Sequence, residues 1–296
     1  MDAGKDSSGR VAAQYAALAV TWGASFLFIK VGLEGLSPGQ VVLGRVVAGA
    51  VTLALISVAR RSGLPRDLAT WAHLAVVAVL LCDVPFLLIA WAEQRIGSSL
   101  ASIYNAATPL MTVLWGLAVL PGERPTRGRL AGLVIGFAGV VLVLSPWRAG
   151  GAGQLSAQLA CLGAAVCYGA GFAYLRRYLS PRGVSALSAA TVQVGLAAVI
   201  ALAFAPWLAI GPARISPRVA LSVLALGALG TGIAYVWNTG IVASWGATVA
   251  STVTYVIPVV GVVLGVLVLS ETLSWNEPAG AVIVIVGVLT AQQRPP

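Results

Sequence analysis

Polar residues in this chain are grouped into short stretches that separate long apolar runs. Each of the ten runs has around 20 residues, the length that an α-helix needs to cross a lipid bilayer. They cover residues 12–31, 39–59, 71–92, 97–120, 128–146, 156–178, 184–206, 218–240, 246–269 and 276–293. Between them lie Pro, Gly and Arg residues, which are typical of helix ends and turns. The pattern predicts an all-α integral membrane protein with ten transmembrane helices.

The motifs of the first half recur in the second half. Residues 22–26 read WGASF, and residues 168–172 read YGAGF. Further matched pairs are Lys30 and Arg176, Pro109 and Pro258, and Glu123 and Glu271. All of these pairs are separated by about half the chain, which indicates a duplicated unit. We therefore predict two five-helix repeats, over residues 1–149 and 150–296. Duplicated halves of membrane helices are a common architecture of secondary transporters, so the repeats are predicted to form one transport domain together.

Composition and charge agree with a membrane protein. Hydrophobic residues make up 59% of the 296 residues, charged residues only 9%, and the mean hydropathy is +0.94. A soluble domain has about 25% charged residues. The net charge of +9 comes from Arg residues in short loops, so it indicates membrane topology, and we predict no nucleic-acid binding. Cys82, Cys161 and Cys167 lie inside apolar segments without metal-ligand spacing, so we predict no disulfide, metal or cofactor.

The distribution of Lys and Arg predicts the orientation. With the N-terminus in the cytoplasm, twelve of these residues fall in inner loops and ends and five in outer ones. Positive residues concentrate on the cytoplasmic side, so both termini are predicted to be cytoplasmic in a bacterial-type inner membrane. Because five helices is an odd number, the second repeat would be inverted. Inverted repeats permit alternating access to a site between the halves.

These motifs resemble the drug/metabolite transporter superfamily and, within it, the ten-helix EamA-type permeases. The resemblance also includes Pro38 at the start of the second helix, Arg45 early in that helix, and a glycine-spaced fifth helix after Gly122-Glu123. It covers nearly the whole chain and rests on the order of the motifs and their doubling. It implies export of small metabolites, often amino acids, through a central cavity lined mainly by the first, third, fourth, sixth, eighth and ninth helices. Drug-like or other small metabolites remain the alternative cargo.

Asp83 lies about halfway along the third apolar segment. A carboxylate there costs about 2.5–3.5 kcal/mol on insertion scales, so it should face a cavity or a partner. It could carry a proton, although passive facilitation fits equally well, or it could be a structural group satisfied by nearby backbone or hydroxyls. Pro85 and the Gly230-Thr231-Gly232 segment interrupt corresponding helices. Matched interruptions indicate a binding site and candidate hinges at Pro85, Gly230 and Gly232.

Two further helices carry polar faces that end in proline. Ser102, Asn105 and Pro109 share one face of the fourth helix, and Tyr255 and Pro258 recur on the ninth. These polar side chains are predicted to hydrogen-bond a zwitterionic substrate, with helix packing as the alternative. Pro109 and Pro258 are further candidate hinges.

Aromatic residues could form the wall of the cavity. Trp22 and Phe26 match Tyr168 and Phe172, and each pair is four residues apart, hence on one face. The remaining candidates for the wall are Tyr235, Trp237 and Asn238 on the eighth helix. Core or lipid-facing packing is an equal alternative for the aromatic pairs.

The cations Lys30 and Arg45 are interpreted as structural. We expect them to reach the outer headgroups or to pair with Glu34, with carboxylate binding as the alternative. Small residues on the fifth and ninth helices are predicted to let helices approach closely. They are Gly128, Gly132, Gly136, Gly261 and Gly265. We favour contacts within one chain, and therefore a monomer.

An enzyme is not predicted. The chain has one His and contains neither an HExxH nor a GxSxG sequence, so an intramembrane active site lacks its usual components. The predicted partners are a small-molecule substrate and the lipid bilayer.

Overall fold

The computed structural model describes residues 3–120, 126–145, 152–245, 250 and 252–292. Within these ranges the regular secondary structure is helical and no strand occurs. The helices are α1 (Ala3–Gly32), α2 (Pro38–Ala59), α3 (Leu68–Glu93), α4 (Ser98–Val119), α5 (Arg127–Leu144), α6 (Gly153–Arg182), α7 (Ala186–Leu208), α8 (Pro217–Trp245), α9 (Val253–Leu269) and α10 (Asn276–Gln292). Helices α1 to α8 are long and apolar enough to cross a membrane, and α9 and α10 are shorter apolar helices. The prediction of a multi-pass helical membrane protein is confirmed.

Helix starts follow from local capping chemistry. At α2, the Ser37 hydroxyl accepts from the Gln40 amide, and the Gln40 side chain accepts from the Ser37 amide, which forms a capping box. At α3, the Asp67 carboxylate accepts from the Thr70 backbone N–H at 2.8 Å. Hydrogen bonds from Thr70 and the nearby charge of Arg182 hold the pKa of Asp67 below its ordinary value. These caps place the first turns of both helices at opposite ends of the bundle.

Several helices depart from regular α-helical geometry near their middle. Helix α3 has a π-helical turn at Val79–Asp83, and α8 has a longer one at Ala225–Ile233. The turn in α3 ends two residues before Pro85, and the turn in α8 contains the predicted Gly230-Thr231-Gly232 interruption, but each helix continues instead of breaking. Helix α4, predicted to be continuous over 97–120, is broken at residues 106–107, directly before Thr108 and Pro109. π-Helical turns of this kind are frequently found at functional sites.

Three pairs of helices that are five positions apart pack against each other in opposite directions. In α5 and α10, Gly132 lies beside Gly287 and Gly139 lies beside Gly280, so residue numbers rise on one helix and fall on the other. Ser99 and Ser102 of α4 face Gly265 and Gly261 of α9 in the same antiparallel sense. The start of α2 meets the end of α7, and Ser62 beyond the end of α2 bonds Ser188 near the start of α7. Helices α1 and α6 complete this arrangement, since α1 packs on α8 and α9 and α6 packs on α3 and α4.

The loops lie at two ends of the bundle. We call the end with loops 33–37, 94–97, 209–216 and 270–275 the outer end. There the Arg214 amide donates to the Gly35 carbonyl, and Lys30 donates to the carbonyls of Glu93 and Ile96. The inner end has loops 60–67 and 183–185, where Arg182 pairs with Asp67 at 3.1 Å. The charge-based prediction that the inner end is cytoplasmic stays a prediction.

Candidate substrate site between the two halves

A polar cluster lies between the two halves of the chain. We call it the Arg45 cluster, and it comprises Arg45, Cys82, Phe86, Tyr168, Gln193, Thr231 and Tyr235. Arg45 Nε donates to Thr231 Oγ1 at 3.1 Å, and the guanidinium carbon lies 3.5 Å from the centroid of the Phe86 ring. Thr231 belongs to the π-helical turn of α8, so this turn directly places a partner for the cation.

The other half of the cluster is centred on Gln193 of α7. Gln193 Nε2 lies 3.4 Å from both Cys82 Sγ and the Tyr235 hydroxyl. Arg45 interacts electrostatically with Tyr168, Cys82 and Tyr235, which belong to α6, α3 and α8. The cluster thus combines a cation, two phenols and an amide on both halves of the chain. Such a set can hydrogen-bond an anionic or polar ligand.

The interpretation of Arg45 and Lys30 from sequence was wrong in its details. Arg45 is 7% exposed and bonds inward to Thr231, whereas Glu34 pairs with Arg218 at 3.4 Å. Lys30 donates to backbone carbonyls at the end of α3. The distance of Arg45 from the start of α2 suggested a side chain that reaches the headgroups, but the π-helical turn of α8 offers a closer acceptor.

Trp22 is the predicted wall residue with the most direct link to the opposite half. Its indole Nε1 donates to the Gly230 carbonyl at 3.2 Å, and the ring is half-buried. Phe26, one turn further along α1, is buried in the core. Tyr168 packs against the same core and belongs to the Arg45 cluster. Phe172 is 43% exposed and is not part of these packed clusters, so the predicted aromatic pair on α6 is split.

Asp83 has no hydrogen-bond partner among the described residues, and both of its carboxylate oxygens are sealed from solvent. The alternative of a structural carboxylate satisfied by neighbouring donors is therefore not what the structure shows. Glu93, at the end of α3, is 1% exposed and its oxygens are likewise sealed and unpartnered. Sequence reasoning missed Glu93 because the third segment was predicted to end at residue 92. An acidic residue directly after a long apolar run is the signal that could have found it.

The remaining predicted polar residues are dispersed. Asn105 is half-buried beside the break in α4, and Trp237 and Asn238 are half-buried on α8. Tyr255 packs in a separate cluster with residues of α4, α5, α6 and α10. Ser102 is fully buried against Gly261 and its hydroxyl donates to the Ser99 carbonyl, so it is a packing residue and does not line open space.

The predicted hinges occupy different positions in their helices. Pro85 opens the α-helical part of α3 after its π-helical turn, and Pro109 follows the break in α4. Pro258 lies within α9, where its ring is compatible with a helix that continues to Leu269. Gly230 and Gly232 lie inside the π-helical turn of α8. Movement at any of these positions stays a prediction.

Glu271 joins the two halves at the outer end. Its Oε1 accepts from the Ser98 amide at 2.7 Å and the Ser98 hydroxyl at 3.0 Å, and Oε2 accepts from the Ser99 amide at 2.9 Å. The carboxylate of one half therefore caps the first turn of α4 in the other half. Glu123, its sequence counterpart, lies outside the described residues. One member of the sequence pair Glu123 and Glu271 thus caps a helix in the opposite half of the chain.

Comparison with known proteins identifies the family of this chain. The sequence model of the EamA-like transporter family matches residues 11–145 and again residues 155–291. The chain belongs to the EamA-like transporter family. Membership places it among transporters and not among enzymes, as predicted. In the described part of the chain, no group of three or more His, Cys, Asp or Glu side chains could hold a metal ion.

Full-length relatives of this EamA-family chain are named as transporters or exporters. It is 28% identical to a probable terminal-alkyne amino-acid exporter of Streptantibioticus cattleyicolor, over 93% of this chain and 91% of the relative. It is 28% identical to the inner membrane transporter YedA of Escherichia coli K12, over 88% and 83% of the two chains. A probable amino-acid metabolite efflux pump of Salmonella typhimurium is 25% identical, over 91% and 90%.

A solved crystal structure supports the fold. It covers 96% of both chains with a TM-score of 0.66 and 20% sequence identity. At this identity the likeness concerns the arrangement of the helices alone.

Proposed function

We propose that this EamA-family protein is a secondary transporter or facilitator that exports small metabolites, above all amino acids, across the cytoplasmic membrane. The observation that carries the proposal is the Arg45 cluster, in which polar groups from both halves meet around the π-helical turn of α8. Sites of secondary transporters lie near the bilayer midplane between repeats, at irregular helices. Two relatives named for amino-acid or amino-acid-metabolite export support this class of cargo.

Alternating access would follow from an inverted duplication. We assign residues 1–149 and 150–296 to two five-helix repeats, with α9 and α10 as the last two of ten membrane helices. The antiparallel packing of α2 on α7, α4 on α9 and α5 on α10 supports inversion, because helices five positions apart run in opposite directions. Rocking of one repeat against the other would then expose the site first to the inner end and then to the outer end.

Within this scheme the predicted residues have separate roles. Trp22, Phe26, Tyr168, Trp237 and Asn238 would form the wall of the cavity. Asp83, Asn105 and Tyr255 would supply polar contacts as the cavity changes shape. Pro85, Pro109, Pro258 and the Gly230–Gly232 segment would absorb the movement. The protein would act as a monomer with both termini in the cytoplasm.

The proposal is tested by flux into liposomes that contain the purified protein. We expect saturable uptake of some labelled amino acids, inhibited by other amino acids, and no uptake into empty liposomes. Folded protein can be verified by a single symmetric peak in size-exclusion chromatography. If folded protein carries no amino acid but carries drug-like or other small metabolites, the cargo part of the proposal is wrong and the alternative replaces it.

Proton coupling is expected to depend on Asp83. Both oxygens of this carboxyl group are sealed without a partner, an environment in which an ionised carboxylate is costly. We expect an imposed pH gradient to accelerate flux in the wild type, and Asp83→Asn to remove that acceleration while leaving gradient-independent flux. Asp67→Asn, at the inner end, is the matched control and should retain the acceleration. If the wild-type flux is the same with and without the pH gradient, the protein would instead be a facilitator of diffusion.

A further inference from the structure

We propose that Arg45 is the anchor for a carboxylate group of the transported substrate. The inference rests on the proposed function, because it assumes that a substrate enters the space between the halves. It adds the chemical class of the ligand, a carboxylate, and the residue that selects it. Sequence alone favoured a structural cation at this position, so the proposal depends on where the side chain lies.

The hydrogen-bonding capacity of Arg45 is only partly used. Its Nε donates to Thr231, but Nη1 and Nη2 form no hydrogen bond with a described residue. The carboxylate oxygens of Asp83 and Glu93 have no hydrogen-bond partner among the described residues and are fully buried. Nη1 and Nη2 of Arg45 also have no partner in this part of the chain, but they are not fully buried. Arg45 is 7% exposed, so a small part of this residue, including its unpaired nitrogens, stays accessible. A guanidinium with two free nitrogens can bind a carboxylate through two parallel N–H···O bonds.

Two contacts fix the plane of this guanidinium. The hydrogen bond to Thr231 orients Nε, and the Phe86 ring lies beneath the guanidinium with 3.5 Å between its carbon and the ring centroid. A cation held over an aromatic face and bonded at Nε loses little freedom when a ligand binds. Tyr168 and Tyr235 interact electrostatically with the same cation. Their hydroxyls can add donors to a carboxylate that the guanidinium holds.

Among the described acidic side chains, none forms a salt bridge or a hydrogen bond with Arg45. Glu93 interacts with it electrostatically, but the Glu93 oxygens accept no hydrogen bond from any described donor. Glu34 is paired with Arg218 at the outer end. Asp83 has no donor within hydrogen-bonding distance either. A buried cation without a hydrogen-bonded anion is costly, and a substrate carboxylate would supply the missing partner.

A purely structural role would use the same bond to Thr231, so the test must measure selectivity as well as stability. We would compare three ligands of similar size: leucine, leucine methyl ester, and 4-methylpentanoate, which keeps the carboxylate and lacks the ammonium group. Binding to purified full-length protein would be followed by thermal stabilisation and by inhibition of flux. Each protein serves as its own reference, because the readout is the ratio of apparent affinities for leucine and for its ester.

In the wild type we expect both leucine and 4-methylpentanoate to bind. Leucine should bind about 10- to 100-fold better than its methyl ester, because the ester loses hydrogen bonds to a charged group. Arg45→Gln should bring this ratio close to one, and Arg45→Lys should restore part of it. Arg218→Gln is the matched control, since it removes an Arg at the outer end and should leave the ratio unchanged. The ratio of affinities can still be measured for a variant that is less stable than the wild type. If Arg45→Gln does not fold, Arg45→Lys, which keeps the positive charge, provides the test.

The outcomes separate this inference from the proposed function. Equal binding of leucine and its ester in the wild type would overturn the anchor while leaving amino-acid export intact. A preference for the acid that persists in Arg45→Gln would also overturn it, as would a folded wild type that binds neither carboxylate. If 4-methylpentanoate binds through Arg45 but no amino acid is bound or carried, the anchor stands and the amino-acid cargo is wrong.

Discussion

Alanine at Gly132 is expected to destabilise the protein by about 1–3 kcal/mol, the usual cost of overpacking a tight contact. A Cβ atom at this position would lie 2.5 Å from the Gly287 carbonyl oxygen and 2.6 Å from the Ala291 Cα. Both neighbours are backbone atoms, so the clash can be relieved only by moving α5 away from α10. Because no side chain can rotate out of the way, the helix-forming preference of alanine does not offset the loss.

Gly128 provides the control on the same helix, one turn earlier. A Cβ atom there would meet its nearest atom, the Thr290 carbonyl oxygen, at 3.7 Å, which is an ordinary contact. We expect Gly128→Ala to change stability by only a few tenths of a kcal/mol. Thermal unfolding of both variants in the same detergent, followed by circular dichroism, measures the difference. Equal unfolding temperatures for Gly132→Ala and the wild type would show that α5 and α10 are not packed as closely as described.

The small-residue motif shows what the sequence could predict. The spacing of Gly128, Gly132 and Gly136 indicated close approach of helices, because glycine leaves room for a neighbouring backbone whatever that neighbour is. The identity of the partner was not predictable from spacing. In the structure Gly136 faces the side chain of Leu110 as well as Gly287. Of the three glycines in the motif, Gly132 forms a reciprocal contact with Gly287 of α10, and Gly139, outside the motif, forms a second one with Gly280. Periodicity gives the face of a helix, and packing decides what covers it.

The polar site was harder to predict than the helices. Hydropathy identifies apolar runs directly, and the doubled motifs predict two repeats. The role of Arg45, however, depends on a π-helical turn in α8 that brings Thr231 to it from the other half of the chain. Gln193 lies in an apolar run that has no motif, and its link to Cys82 and Tyr235 exists only after three helices have packed. Contacts between distant segments of the chain leave no local signal in one sequence.

Glu271→Gln is expected to destabilise the protein at neutral pH by about 1.5–3 kcal/mol, nearer the lower value because the side chain is partly exposed. The carboxylate accepts three hydrogen bonds from Ser98 and Ser99, two of them from backbone amides at the start of α4. A glutamine has one acceptor oxygen, so its amide group would face an N–H donor. The charge also interacts favourably with the positive end of the α4 dipole. The cap connects α4 to the loop after α9, so its loss should also loosen the contact between Ser99 and Gly265.

The same carboxylate predicts how this difference depends on pH. Burial alone would raise the pKa of Glu271, but the hydrogen bonds from Ser99 and Ser98 outweigh it and hold the pKa below the ordinary value of 4.5. A carboxyl group with a lowered pKa in the folded state stabilises the protein fully above its ordinary pKa and loses this effect as the pH falls through the lowered value. The difference in unfolding temperature between wild type and Glu271→Gln should therefore be full at pH 7 and shrink below about pH 4.5. Glu34→Gln, which breaks an exposed pair at the same end, should cost less than about 1 kcal/mol at pH 7. If the difference in unfolding temperature between wild type and Glu271→Gln stays constant down to strongly acidic pH, the charge of Glu271 does not stabilise the cap. The lower stability of the variant would then result from altered packing.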